Sequence, residues 1–194
     1  MPTTDGGTQV LFNGIAAPII YASSTQVSAM VPYEVGALPN PWVEVKYGGQ
    51  TSDAYPIAPA NTAPGLFTFN SSGRGPGAIL DEDGSVNAPS NPAKKGSIVV
   101  LYSTGEGQTL PSGVTGRVST VSAGQLMPAP VEPVSVLIDG QAAEVLFAGE
   151  APGTVSGIMQ VNVRVPPDAR TGDLDIVLNV GANSSQSGVT ISVQ

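Results

Sequence analysis

The stretch Asp81-Glu82-Asp83-Gly84-Ser85-Val86-Asn87 holds the residue types best suited to chemistry. Asp81, Asp83 and Asn87 offer hard oxygens around a glycine that permits a tight turn, which is the donor chemistry of a calcium loop. The helix–loop–helix version of that loop also needs a bidentate Glu at its twelfth position, and here that position is Pro92. The plainer reading is a polar hairpin turn between Ala78–Leu80 and Ser85-Val86, with no cofactor required. A second candidate is Trp42. In a strand over Trp42–Tyr47, Val43, Val45 and Tyr47 face the core, so Trp42, Glu44 and Lys46 share the outer face. An outward Trp beside polar groups can stack on a sugar ring or on a neighbouring domain. Lys94 or Lys95 beside Asn91 raises an isopeptide cross-link, but that needs a buried Lys, Asn and acid. These lysines sit in a polar, Pro-rich loop.

Absent residues narrow the chemistry further. The chain has no histidine and no cysteine. Ser-His-Asp catalysis, thiolate catalysis, disulfides and His- or Cys-ligated metal sites are therefore excluded. No Gly-x-Ser-x-Gly elbow and no phosphate-binding loop is present. A paired-carboxylate glycosidase needs only two acids about 5–10 Å apart in a cleft, but the acidic residues fall mostly in turns or on outward strand positions. The expectation is a protein that is not an enzyme.

The elements that must position these residues read as strands throughout. Gly (24) and Pro (18) are spread along the chain, the hydrophobic share is 41% and aromatics are only 5%. That pattern describes short elements joined by tight turns around an aliphatic core. No 3.6-residue periodicity persists for two turns. Lys and Arg number 7 against 15 Asp and Glu, a net charge of −8. Nucleic acid and membrane insertion are thus not expected, since the first needs a basic surface and the second an apolar run of about 18 residues.

The strongest organising signal is an internal repeat. Val10–Ala22 aligns without gaps on Val136–Ala148, Gln26–Pro32 on Gln160–Pro166, and Val43–Gly48 on Ile176–Gly181. Asn13-Gly14 and Asp139-Gly140 sit at equivalent places between apolar runs, which predicts two-residue hairpins. Alternation puts Val27, Ala29 and Val31 inward in one copy and Val161, Val163 and Val165 inward in the other, each set in an equivalent sandwich core. Pro32 and Pro166 end those strands. Between the copies, Leu66–Phe69, Ala78–Leu80 and Ser97–Tyr102 read as further strands, the last a central one. Residues 105–133 read as a long, partly ordered loop. The expected organisation is residues 1–62 as a first, partial module and 63–194 as a second, with the boundary near Pro59–Pro64.

The run Val10–Pro32, then Ala63-Pro64-Gly65-Leu66-Phe67-Thr68, Gly77-Ala78-Ile79-Leu80, Asp83-Gly84-Ser85-Val86-Asn87 and Tyr102-Ser103-Thr104-Gly105-Glu106-Gly107 resembles the uncharacterized C-terminal domain family first described in Solibacter. The halves of that domain are similar to the IPT/TIG branch of immunoglobulin-like folds. The resemblance implies an all-β fold of two tandem immunoglobulin-like β-sandwich modules and an extracellular or cell-surface location. It also implies a non-catalytic structural, adhesive or spacer role at the C-terminus of a large exported bacterial protein. Partners would be other modules of that protein, or an extracellular protein or polysaccharide. Members of the family carry strands upstream of the first copy, whereas only seven residues precede Thr8 here. The first module is therefore expected to have an incomplete sheet, an unpaired edge and weak self-association. A carbohydrate-binding role through Trp42 is the alternative.

Overall fold

The computed structural model describes residues 1–58, 60–120 and 126–194. The chain is all-β; its helical content among the described residues is one 3-10 segment, Tyr33–Ala37. Among the described residues, no helix is long and apolar enough to cross a membrane.

The first repeat copy contains β1 (Gln9–Phe12), β2 (Ile15–Ala16), β3 (Ile19–Ala22), β4 (Val27–Ala29), β5 (Trp42–Tyr47), β6 (Gln50–Thr51) and β7 (Tyr55–Pro56). They pair as β2-β1-β5-β6 with β7 also on β5, while β3 and β4 form a separate hairpin. Val10, Phe12, Ala17 and Val35 are buried between them, with Val27, Ala29, Val43 and Ile57 packed against this small core.

The region between the copies contributes β8 (Gly65–Leu66), β9 (Gly75–Pro76), β10 (Ile79–Leu80), β11 (Ile98–Thr104), β12 (Thr109–Leu110) and β13 (Ala129–Pro130). The second copy holds β14 (Val134–Ile138), β15 (Gln141–Glu150), β16 (Ile158–Arg164), β17 (Gly172–Val180), β18 (Asn183–Ser184) and β19 (Val189–Val193). Apart from β12 and β13, which pair with each other as a separate hairpin-like ladder, they form one large curled sheet of order β10-β11-β16-β15-β14-β17-β19-β9, with β8 on β11 and β18 on β17. Its concave side buries a continuous aliphatic core that includes Val99, Leu101, Val136, Ile138, Val161, Val163, Leu178 and Ile191. The sheet curls because β15 changes partner along its length: its start pairs with β14 and the rest with β16.

The repeat is structural down to individual hydrogen bonds. Asn13 and Gly14 have φ of 50° and 82°, and Asp139 and Gly140 have 54° and 74°. Both hairpins therefore use the double left-handed turn that only such pairs reach without strain. The β3–β4 hairpin shifts register between Ile19 and Tyr21, and β15–β16 shifts between the aligned residues Val145 and Phe147. Val45 donates its amide to Ser52 Oγ (3.0 Å) and accepts from the Ser52 amide (2.9 Å). Leu178 and Ser185 make the same two bonds at 3.1 and 2.7 Å. The copies differ at Pro18, which aligns with Glu144. Proline has no amide to give the ladder, so β2 and β3 are two pieces where β15 is continuous.

Several expectations change. Val161, Val163 and Val165 are fully buried, but Val27 and Ala29 are only half-buried and Val31 is 57% exposed. In the second copy, β11 covers that edge by pairing with β16 from Ile98↔Arg164 to Thr104↔Ile158. Among the described residues, the first copy has only β3 against β4. Tyr47 was expected to face a core and is 66% exposed, for the same lack of a covering layer. The stretch before Thr8 does turn back. Asp5 and Thr8 exchange backbone hydrogen bonds, and the Pro2 carbonyl accepts the Ile19 amide at 2.9 Å. That contact serves β3 and leaves the far edge of β4 open. Leu66–Phe69 shrinks to β8, which pairs with β11 and so cannot fill the gap. At the expected boundary, Pro59 lies outside the described residues; Thr62 beyond it is buried and donates its hydroxyl to the Val180 carbonyl at 2.8 Å.

Candidate functional site

Alternation along β5 puts Trp42, Glu44 and Lys46 on one face, but that face is not simply the outer one: Glu44 is half-buried, whereas Val45 and Tyr47 on the opposite face are exposed. Glu44 lies opposite Leu11, and Lys46 opposite Gln9 and Thr51. Trp42 is held by its backbone: its amide donates to Asn13 Oδ1 at 2.9 Å and its carbonyl accepts the Asn13 amide at 3.1 Å. The residue is 37% exposed. Tyr55 pairs with Val43, so it projects to the opposite face and adds nothing to a platform around Trp42. Two shallow surface depressions lie away from Trp42. One is bounded by Pro89, Pro92, Gly172 and Asp173, the other by Leu66, Phe67, Thr68 and Ser71.

The acidic loop forms the turn between β10 and Val86. Its oxygens point at their own neighbours. Asp81 Oδ1 accepts from Asn87 Nδ2 and Asp81 Oδ2 from Asn91 Nδ2, both at 3.0 Å. Asp83 Oδ1 accepts from the Ser85 amide at 2.9 Å and from the Ser85 hydroxyl. Those bonds hold the Asp83 carboxyl below the usual carboxylate range, whereas burial raises that of Asp81. Asn87 is buried and clamps β19: its Oδ1 accepts the Ser192 amide at 2.8 Å and its Nδ2 donates to the Ser192 carbonyl at 2.9 Å. This loop fastens a strand through side chains that a calcium ion would have to recruit. No group of three or more acidic, His or Cys side chains able to hold a metal occurs among the described residues. Lys94, Lys95 and Asn91 are exposed.

The most chemically unusual place is one that sequence reasoning did not single out. Glu106 and Glu150, expected among the solvated acids, are 2% and 0% exposed. Glu150 closes the row Ser103–Met159–Glu150 at the end of the large sheet. Glu106 follows β11 between Gly105 and Gly107, at φ of 78° and 75°. A Cβ at Gly105 would lie 1.8 Å from the Ala63 carbonyl oxygen, and one at Gly107 2.2 Å from that of Asn61. Only glycine lets this loop lie so close to the connecting segment, and that approach turns Glu106 inward. The motif Gly-Glu-Gly directly after a buried strand was the signal available in the sequence.

Glu106 Oε1 accepts the Tyr33 hydroxyl at 2.6 Å, and Glu150 Oε2 accepts Arg117 Nη2 at 2.9 Å. Glu106 Oε2, Glu150 Oε1 and Arg117 Nε have no partner among the described residues. Burial pushes the Glu106 carboxyl up to about 7; the Tyr33 bond opposes the shift and the Glu150 charge adds to it. Burial, and then Glu106, drive the Tyr33 phenol far above its usual range.

Tyr33 belongs to the first copy, and Glu106, Glu150 and Arg117 to the remainder, so this cluster joins them. Around it, Gln108 Nε2 donates to the Tyr33 carbonyl (2.9 Å), the Tyr33 amide to Thr115 Oγ1 (3.1 Å) and Thr115 Oγ1 to Glu34 (2.7 Å). A Cβ at Gly113 would overlap the Tyr33 ring and one at Gly157 the end of Met30. The described part of the 105–133 loop is thus ordered packing between the two copies. No family model matches the chain, and no curated protein matches it significantly.

Proposed function

We propose that the chain is a non-catalytic structural module of a larger exported bacterial protein. In this reading two immunoglobulin-like β-sandwich units, the first of them partial, are set in a fixed relative orientation, to space or dock their neighbours. The observation that carries it is the joint. Tyr33 inserts from one repeat copy against Glu106 of the other segment; glycines at 113 and 157 leave room for the Tyr33 and Met30 side chains, and glycines at 105 and 107 let the Glu106 loop lie against the backbone of Asn61 and Ala63. A spacer needs this kind of joint, because a loose linker would transmit neither force nor orientation.

The same cluster weighs against glycoside hydrolysis. That reaction needs two carboxyl groups flanking a substrate-sized gap. Here the two buried acids are engaged by Tyr33 and Arg117 with almost no solvent exposure. Export is supported by the family resemblance and by a low charge content, 11% of residues.

The test is small-angle scattering together with residual dipolar couplings measured on each repeat copy. One rigid orientation is expected, and Tyr33→Ala should free it. Two independently tumbling units in the unmodified chain would refute the reading.

A further inference from the structure

The two copies share strands, turns and register, yet the second is covered and the first is not. One continuous segment, Gly65–Thr104, does the covering. Its β9 runs parallel to β19 through Val189↔Gly75 and Thr190↔Pro76. Its β11 runs antiparallel to β16 along seven residue pairs. Along its length it inserts Leu66, Ile79, Ala93, Val99 and Leu101 into the core. In the first copy β7 aligns with the start of β19 and β4 with β16. Among the described residues, no strand pairs with the outer edge of either.

The uncovered residues are apolar. Val31, Val45, Tyr47 and Tyr55 are 57%, 36%, 66% and 70% exposed. Their counterparts Val165, Leu178, Val180 and Val189 are fully buried. The edge donors are also in place. Met30 donates its amide to the Pro18 carbonyl on the β3 side, so the amides of Ala29 and Val31 point away from β3. In the second copy the amide equivalent to that of Val31, on Val165, donates to the Ser97 carbonyl at 2.9 Å. An unpaired edge beside an open apolar face is the geometry in which proteins accept a strand from another polypeptide.

We propose that the first repeat copy is an acceptor for an extended polypeptide segment patterned like Gly65–Thr104, whose last strand adds antiparallel to Gln26–Val31 in the register that β11 takes on β16. Residues equivalent to Ser97, Val99 and Leu101 then lie opposite Val31, Ala29 and Val27. A second copy of the same edge is the poorer occupant. Two β4 strands paired across a twofold axis satisfy each other's amides but leave Tyr47 and Tyr55, on β5 and β7, uncovered. A threading segment reaches both edges, as residues 65–104 do in the second copy.

The probe is a synthetic peptide of residues 94–105, added to the full chain and followed by amide hydrogen exchange resolved by residue. The expected result is saturable slowing of at least tenfold at Val27, Ala29 and Val31. A control peptide carrying Val99→Lys and Leu101→Lys should give none. Val31→Lys in the protein, at an exposed position, should weaken the effect at least tenfold while leaving the fold intact. The proposal is overturned if exchange at these amides is unchanged at saturating peptide, or if both peptides act alike. It is equally overturned if the same amides are already protected without peptide in proportion to protein concentration, because the occupant would then be a second copy.

Discussion

Replacing Glu106 by Gln tests whether the buried joint behaves as its geometry requires. The side chain keeps its size and its acceptor for the Tyr33 hydroxyl but loses its ionisable proton. In the folded chain the Glu106 carboxyl titrates at about 7, against 4.5 for the free group, because burial disfavours the charge. The folded state therefore holds its proton more tightly than the unfolded state. Below pH 4.5 both states are protonated and the contribution to stability is fully present. Between 4.5 and 7 the unfolded chain has released the proton and the folded chain has not, so stability falls by about 1.4 kcal/mol per pH unit. Above 7 both are ionised and the loss levels off at about 3 kcal/mol. Urea unfolding of the unmodified chain and of Glu106→Gln, from pH 4 to 8.5, isolates this group, since every other titration is common to both. The stability of the variant relative to the parent should rise by about 3 kcal/mol across that window, worth about 6 to 12 °C in Tm for a chain of this size. A difference that stays flat with pH would mean that Glu106 ionises as a solvated acid and that the joint is open to water.

Val163→Ala should cost about 1–3 kcal/mol in urea unfolding, because its methyls are fully buried. Val31→Ala, at the position that aligns with buried Val165, should cost less than about 0.5 kcal/mol; equal costs would show that the first copy is covered in solution. Asn87→Ala removes both bonds to Ser192 and one to Asp81, and should cost about 3 kcal/mol in the same assay. Millimolar calcium should leave Tm unchanged, because both Asp81 oxygens, Asp83 Oδ1 and Asn87 Oδ1 already accept internal hydrogen bonds; a calcium-dependent rise would establish the site. On a glycan array the chain should show no binding that Trp42→Ala abolishes, since Tyr55 faces away from Trp42; saturable binding lost in that variant would instead establish the carbohydrate-binding role.

Local rules were enough to read most of the strand order and its repeat. Asn13-Gly14 and Asp139-Gly140 announce their turns because few other residue pairs tolerate two successive positive φ values. The alternation of Val161, Val163 and Val165 marks a one-sided strand whatever surrounds it, and Pro18 marks the break between β2 and β3. Burial cannot be read that way. Val31 and Val165 are the same residue in the same local pattern, each followed by proline, yet one is exposed and the other buried. The difference is β11, which pairs with β16 across a gap of about sixty residues in sequence and has no counterpart at β4 among the described residues. Glu150 escapes a local reading for the same reason, and at Glu106 the Gly-Glu-Gly motif marks an unusual turn without showing what buries the acid. Nothing near either carboxylate in sequence shows that Tyr33 and Arg117, drawn from separate segments, will close over them. Strand and turn follow from the backbone preferences of a few neighbouring residues. What covers a strand, and so which side chains lose water and shift their protonation, depends on contacts between distant segments that form only when the chain is folded.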